Sequence, residues 1–107
     1  MVPSRMITTE GALQGYEITA SLGPVEGTAE VAMRGVAVSH LEIHEGGKLQ
    51  DLVWSARQNV AAAAGELGAD AIVGLRYVVA GRDYEKSVLA FGTAVTCTKA
   101  RVEGKEL

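Results

Sequence analysis

The chain is poor in cysteine, and none of its apolar runs is long. Among its 107 residues Cys97 is the single cysteine, which excludes an internal disulfide and is typical of a cytosolic protein. The opening residues MVPSRMITTE contain no apolar stretch of the kind found in signal peptides. No apolar run approaches the ~20 residues that a membrane-spanning helix needs. We therefore expect a cytoplasmic protein that does not contact a membrane.

The chain also lacks an excess of positive charge. Its formal net charge is −3 and its pI is about 5.3. Near the end of the chain, Lys99, Arg101 and Lys105 are interleaved with Glu103 and Glu106. Binding to a phosphate backbone depends on clustered positive charge, so we do not expect a nucleic acid as a partner.

Aromatic residues are scarce, at 5% of the chain. Alanine, valine and glycine supply the bulk of the apolar volume instead. A chain of this length makes one domain as a rule, and we expect a single domain over residues 1–107 with frayed ends at 1–5 and 103–107. A core of small side chains is thin, which favours assembly into an oligomer.

One long α-helix is the clearest local pattern. Between Leu49 and Leu67 apolar residues recur every three or four positions, and alanine, the best helix former, dominates the last two turns. Gly65 is a weak interruption, and Gly68 is the expected end because glycine adopts the left-handed conformation freely. Gly46-Gly47 is expected to break the chain just before the helix. The helical stripe is made mostly of small side chains, which lets the helix lie close to a sheet or to a neighbouring helix.

Extended segments precede the helix. We predict a short leading strand at residues 6–9, followed by two strands at 16–23 and 25–33. Gly23-Pro24 lies between the last two and is a turn signal.

Two further strands follow the helix. The run AIVGLRYVV, residues 71–79, is almost continuously apolar, which is typical of a strand covered on both faces, and Gly74 within it indicates a bulge. A hairpin connection that contains Gly81 leads to the last strand, residues 87–102. The predicted fold is α+β, an antiparallel β-sheet packed with one long α-helix.

The chain resembles the YbjQ-like family of small bacterial proteins, which carries a heavy-metal-binding label. The resemblance runs from about Met6 to Val95 and rests on four motifs in the family's order: TTE at 8–10, GYEI at 15–18, LGADAIVG at 67–74 and GTAV at 92–95. It implies a dodecin-like subunit and a ring-shaped homo-oligomer, either a pentamer or two stacked rings that form a decamer. The stretch from Arg34 to Lys48 departs from the family pattern, so a site located there in relatives does not transfer.

That altered stretch contains the one cluster of metal-binding residue types, namely His40, Glu42, His44 and Glu45. On a helix the two histidines share a face, whereas on a strand Glu42 joins them. Imidazole and carboxylate both suit zinc, so we predict that any divalent transition metal is bound by the histidines with a glutamate assisting. Because zinc sites use three or four protein ligands, a lone pair of histidines favours the interpretation that both are ordinary surface or interface residues. A ring would repeat the cluster and supply further ligands.

No catalytic signature is present. The cluster lacks the second histidine of H-E-x-x-H and the P-C-x-x-C of zinc deaminases, and the glycines form neither G-x-G-x-x-G nor a P-loop. We expect Cys97 to be buried and unreactive. Tyr77 and Tyr84 are either packing residues or the lining of a pocket. Two classes of function remain open: a binding or scaffold module that holds a metal ion or small ligand between subunits, and an enzyme whose site is assembled between subunits.

Overall fold

The computed structural model describes residues 1–32, 45–82 and 85–100. Within these ranges the chain forms three strands and one long helix, with a short 3-10 helix near the start. The elements in chain order are the 3-10 helix Ser4–Met6, β1 (Tyr16–Ala32), α1 (Glu45–Glu66), β2 (Ala71–Arg82) and β3 (Glu85–Lys99).

The three strands form one antiparallel sheet in the order β1-β3-β2. The last strand therefore lies in the centre, with Tyr16 opposite Lys99 at one end and Ala32 opposite Glu85 at the other. β2 and β3 are neighbours in sequence and pair directly, as the predicted hairpin requires. The α+β class with an antiparallel sheet and one helix is confirmed.

The predicted break at Gly23-Pro24 is wrong, because β1 runs without interruption from Tyr16 to Ala32. The pairing with β3 shifts register between Ser21 and Gly23, so an irregularity in the strand absorbs the glycine, whose φ is 105°. Pro24 then lies opposite Thr93. β1 is an edge strand, where a proline is tolerated because one side of the strand has no ladder partner within the sheet.

The predicted leading strand at residues 6–9 is also wrong. Met6 ends the 3-10 helix, and Ile7 makes only an isolated parallel bridge to Ile72. The chain then follows the edge of β2: Thr8 N–H donates to the Ile72 carbonyl at 3.0 Å, and Leu75 N–H donates to the Thr8 carbonyl at 3.0 Å. The start of the chain thus covers the first part of the β2 edge with a few backbone bonds.

α1 covers one face of the sheet with the predicted small-residue stripe. Leu52, Ala56, Val60 and Ala64 are buried, and the last three have no exposed surface. A side chain at Gly27 of β1 would collide with the Val60 backbone nitrogen, so helix and strand approach each other closely at this point.

The helix bounds differ from the prediction at one end. α1 begins at Glu45, so Gly46-Gly47 lies inside its first turn instead of breaking the chain. Glycine keeps its backbone N–H and can join a helix, and its entropic cost of about 1 kcal/mol against alanine applies to a helix interior, not to the first turn. The other end is confirmed, because α1 stops at Glu66 and Gly68 has a φ of 81°.

The strand after the helix contains the predicted irregularity. Gly74 has a φ of 65°, and the pairing with β3 shifts register between Val73 and Arg76. β3 ends at Lys99, whereas the sequence pattern extends to residue 102, beyond the last described residue.

The fold is elongated. Its principal extents are 62 × 24 × 18 Å and its radius of gyration is 17.2 Å, against about 13 Å for a globular domain of roughly 100 residues. The 17 residues of β1 span about 56 Å at ~3.3 Å each, whereas the 22 residues of α1 span about 33 Å. The helix is therefore too short to cover the whole sheet. None of the described helices combines the length and the apolar character needed to cross a membrane.

Candidate functional site

The predicted metal cluster falls outside the part of the chain that the structure describes. His40, Glu42 and His44 belong to residues 33–44, and Glu45 is the first residue of α1 but its side chain is likewise outside the description. Within residues 1–32, 45–82 and 85–100, no three side chains of the His, Cys, Asp and Glu types are placed to hold a metal ion. The metal site therefore stays a prediction.

Cys97 is half-buried in β3 and packs against the core, so the structure agrees only in part with the expectation of a buried thiol. Its backbone N–H donates to Oδ2 of Asp70 at 3.0 Å, and the Asp70 N–H in turn donates to the Val95 carbonyl at 2.9 Å. Burial, and after it the negative charge of Asp70, raises the pKa of the Cys97 thiol. Because the thiolate is the reactive form, this environment opposes a nucleophilic role.

Tyr77 connects three parts of the fold. Its hydroxyl accepts a hydrogen bond from Nη1 of Arg57 at 3.4 Å, and Nη2 of the same guanidinium donates to the Ser4 carbonyl at 3.2 Å and to Ser4 Oγ at 3.0 Å. The half-buried Tyr77 thus joins β2 to α1 and, through Arg57, to the 3-10 helix. This placement favours the packing role for Tyr77, while Tyr84 lies outside the described residues.

The face of the sheet opposite α1, here named the outer sheet face, has a distinct composition. Gly27, Tyr77 and Ala90 are on the helix side, because Gly27 abuts Val60, Tyr77 bonds Arg57 and Ala90 is buried opposite Gly27. Side chains alternate along a strand, so their neighbours lie on the outer sheet face. The face comprises Pro24, Glu26 and Thr28 of β1, Leu89 and Phe91 of β3, and Arg76 and Val78 of β2.

Large apolar side chains on the outer sheet face contact solvent. Phe91 is 38% exposed and Val78 is 48% exposed. A cleft of about 520 Å³ opens beside the phenyl ring, bordered by Pro24, Val25, Glu26, Leu89, Phe91 and Gly92. The described helix packs on the other side, so no described helix covers this face.

Two charges flank the aromatic ring in one row across the sheet. Glu26 of β1 lies directly opposite Phe91 of β3, and Phe91 lies directly opposite Arg76 of β2. The guanidinium of Arg76 is held at the sheet by two bonds from Nη1, to the Thr9 carbonyl at 2.6 Å and to the Leu75 carbonyl at 2.9 Å. The row therefore presents an acid, an aromatic ring and a base in fixed order.

Sequence reasoning foresaw part of this surface. The continuous apolar run at 71–79 predicted a strand covered on both faces. In the described chain Val78, on the outer sheet face, is 48% exposed, and Val79, on the helix side of the strand, is 51% exposed. The row of Glu26, Phe91 and Arg76 was missed because it depends on the register between three strands. The one signal in the sequence was the apolar character of Leu89 and Phe91 beside the equally apolar, buried Val88 and Ala90.

The architecture defines a small α+β protein with a three-stranded antiparallel sheet and one helix. The sequence profile of the YbjQ-like family, described as "Putative heavy-metal-binding", matches residues 5–98. A UPF0145 protein from Chromobacterium violaceum is 35% identical over 108 residues, covering 89% of this chain and 90% of that protein. This chain belongs to the YbjQ-like family. A crystal structure from Pediococcus pentosaceus, of a protein of unknown function in the DUF74 family, is similar with a TM-score of 0.62 and 26% identity, covering 86% of this chain and 96% of that one.

Proposed function

We propose that this protein is a ring-forming homo-oligomer that serves as a binding or scaffold module and holds a metal ion or small ligand between its subunits. Each subunit is one dodecin-like domain over residues 1–107, with five subunits in a ring and either one ring or two stacked rings. The proposal places the protein in the cytosol, which suits a chain whose single cysteine makes no internal disulfide.

The main support for the proposed assembly is the apolar surface that a single copy of the chain leaves exposed. An elongated subunit with a radius of gyration of 17.2 Å buries less of its own surface than a globular domain of the same length. Its exposed apolar residues include Trp54 at 56%, Val78 at 48% and Val79 at 51%. Exposed apolar patches of this kind mark interaction surfaces, and a second copy of the chain is the partner that is always present.

Strand edges support a closed arrangement. β1 and β2 are the two edges of the sheet, and residues 8–10 line the β2 edge only as far as Leu75. Unpaired edges invite association, and a closed ring satisfies them without growth into filaments. In the proposed ring, strands continue from one subunit to the next and each α1 packs beside its neighbour.

The metal component rests on the cluster at residues 40–45 and on the family description. Because both histidines of the chain lie in this cluster, we assign zinc, nickel or copper to His40 and His44 with Glu42 or Glu45 assisting. Repetition of the two-histidine cluster around a ring axis would bring the ligand number to the three or four that zinc sites use.

Calorimetric titration of the metal ions into the wild-type protein tests this component. We expect binding by the wild type and by a matched Glu66→Ala variant, which removes an exposed carboxylate from α1 instead. We expect no binding by the His40→Ala/His44→Ala double variant. Equal binding by the double variant would show that the ligands lie elsewhere, and absence of binding by the wild type would remove metal from the proposal.

Native mass spectrometry of freshly purified protein separates the binding module from an enzyme assembled between subunits. The binding module predicts a metal ion or small ligand retained at a fixed ratio to the ring. The raised pKa of the Cys97 thiol argues against that residue as an enzyme nucleophile.

A further inference from the structure

We propose that the cleft beside Phe91 is a binding site for a small organic cation with an apolar or aromatic body. The positive group of the ligand pairs with the Glu26 carboxylate, and the body of the ligand packs on the phenyl ring. This site goes beyond the proposed function, because every residue that borders the cleft belongs to one chain and none belongs to the histidine cluster at residues 40–45. Binding in the cleft therefore requires neither the ring nor a metal ion.

The cleft has the size and the lining of a small-molecule site. Its volume of about 520 Å³ lies within the range of roughly 300–1,000 Å³ that is usual for ligand pockets. Most of its border is apolar and consists of Pro24, Val25, Leu89 and Phe91. The phenyl ring is 38% exposed, so apolar surface remains that a ligand can cover. A lining of this kind selects a ligand whose body is apolar.

A single carboxylate determines which charge the cleft favours. Among the described residues that border the cleft, Glu26 is the one with a charged side chain. Glu26 is exposed, and its carboxylate has no hydrogen-bond or ion-pair partner in the part of the chain that the structure describes. Its negative charge is thus available to a ligand. Because complementary charge gives specificity, the cleft should accept a cation and reject an anion.

The basic residue of the same row does not cancel this charge. Nη1 of Arg76 donates to the Thr9 carbonyl at 2.6 Å and to the Leu75 carbonyl at 2.9 Å. The segment around Thr9 follows the edge of β2, so these bonds hold the guanidinium toward that edge and away from β1. Arg76 does not border the cleft. Two strand spacings, about 10 Å, separate the backbone of Arg76 from that of Glu26.

The phenyl ring beside the carboxylate adds a second attraction for a cation. Glu26 and Phe91 are direct partners across β1 and β3. The Cβ atoms of directly opposite residues in an antiparallel pair lie about 4.5–5.5 Å apart. A cation that pairs with the carboxylate can therefore also lie within the ~6 Å of the ring centroid at which cation–π attraction acts. An anion gains neither of these interactions.

Two probes of opposite charge test the proposal. Tryptamine carries an ammonium group on an indole, and indole-3-propionate carries a carboxylate on the same ring system. In saturation-transfer NMR of the wild-type protein at low ionic strength, we expect tryptamine to bind about 3- to 30-fold more tightly, the combined range of an exposed ion pair and a cation–π contact. At about 1 M salt this preference should shrink, because the screening length falls to ~3 Å. Equal affinities, a preference for the anion, or no binding of tryptamine would overturn the proposal.

Charge reversal at Glu26 locates the binding site. Glu26→Lys should exchange the preference, so that indole-3-propionate binds more tightly than tryptamine. Glu30→Lys makes the same charge change on the same face of β1, but about 13 Å further along the strand and outside the cleft border, and it should keep the wild-type preference. An unchanged preference in Glu26→Lys, or an exchanged one in Glu30→Lys, would contradict the site.

Two milder variants keep the test valid if charge reversal disturbs folding. Glu26→Gln retains the shape of the side chain and should lower the affinity for tryptamine about 2- to 5-fold without lowering that for indole-3-propionate. Phe91→Leu retains an apolar side chain but removes the ring, and it should also lower the affinity for tryptamine about 2- to 5-fold. Wild-type affinity for tryptamine in both variants would refute the assignment of the cleft.

Failure of this inference is distinguishable from failure of the proposed function. The His40→Ala/His44→Ala variant should bind tryptamine as the wild type does, and a loss of tryptamine binding there would place the probe at the histidines and overturn the cleft assignment. A monomeric wild-type protein that still prefers tryptamine would refute the ring and support the cleft. A ring that retains metal but binds both probes equally would refute the cleft alone.

Discussion

At the scale of single residues, the absence of a side chain decides where helix and sheet meet. An ideal Cβ at Gly27 would collide with backbone atoms of α1, including the Val60 nitrogen and, at 2.9 Å, the Ala56 carbonyl oxygen. Backbone atoms in the middle of a helix cannot move aside as a flexible side chain can. The smallest residue is therefore required in the middle of an otherwise ordinary strand.

Replacement of Gly27 by alanine should destabilise the protein strongly. Overpacking a close contact costs typically about 1–3 kcal/mol, and we expect Gly27→Ala to lower the free energy of unfolding by at least that amount in urea. Gly11→Ala is the matched control, because Gly11 is exposed and nothing lies within 4 Å of its ideal Cβ. A Gly27→Ala variant as stable as the control would show that α1 does not approach β1 as described.

The thiol of Cys97 should react slowly with alkylating reagents at neutral pH. Burial first and the Asp70 charge second raise its pKa, so less thiolate is present than for a free cysteine. In a pH series, the labelling rate should rise at a higher pH than for a model thiol. Asp70→Asn should move this rise to lower pH, although burial still holds the pKa above its usual range. Rapid labelling of the native wild type at neutral pH would contradict this.

The same pKa shift affects stability at high pH. The folded state holds the thiol proton more tightly than the unfolded state does. The contribution of the Cys97 thiol to the free energy of unfolding is therefore complete below the pKa that the thiol has in the unfolded chain. It is lost as the pH rises from that value through the pKa of the thiol in the folded protein. Cys97→Ser, which does not titrate in this range, should show a flatter dependence of unfolding free energy on pH.

At the scale of elements, the segment before β1 is attached to α1 by a few specific contacts. Val2 is almost fully buried, and its N–H donates to the Ala61 carbonyl at 3.2 Å. A side chain at Gly65 would lie 2.8 Å from the Met1 nitrogen, so the glycine that interrupts the alanine run leaves room for the start of the chain. The guanidinium of Arg57 completes the attachment at Ser4.

Removal of that guanidinium should loosen the 3-10 helix while the sheet stays intact. We expect Arg57→Ala to speed amide hydrogen exchange at Met6 and Ile7 by about 2- to 10-fold, the range that corresponds to a net hydrogen-bond contribution of ~0.5–1.5 kcal/mol. Amides in the centre of β3 should be unaffected. Arg5→Ala removes an exposed guanidinium from the same segment and serves as control. Equal protection in the two variants would refute the attachment.

Elements with a strong local pattern could be predicted from the sequence, and those fixed by pairing could not. The periodicity between Leu49 and Leu67 and the β-branched run at 71–79 are local signals, and α1 and β2 follow them. Gly23-Pro24 is also a local signal, for a turn, but pairing with β3 along its whole length overrides it. The register between the three strands decides which residues are neighbours on the outer sheet face. The composition of a single strand therefore does not reveal the row of Glu26, Phe91 and Arg76.

At the scale of the whole molecule, the proposed ring makes a prediction about the helix surface. Ala63 lies on α1 and is partly exposed in the isolated subunit. If neighbouring helices pack there, Ala63→Phe should cost about 1–3 kcal/mol from overpacking and should weaken the ring. Size exclusion coupled to light scattering would show smaller species at micromolar concentration. Ala12→Phe adds the same ring at an exposed position away from α1 and should keep the wild-type mass. An Ala63→Phe protein that retains that mass would place the ring contact elsewhere.

The position of β3 in the centre of the sheet has a consequence for synthesis of the chain. Tyr16, at the start of β1, pairs with Lys99, so the first strand to leave the ribosome must wait for the last one. During that interval β1 has no partner, since β2 does not pair with it. Sheets dominated by pairings that are distant in sequence fold slowly, on a scale of milliseconds to seconds, and transiently unpaired strands are prone to aggregate. We therefore expect β1 of the nascent chain to be prone to aggregation until β3 has been synthesised.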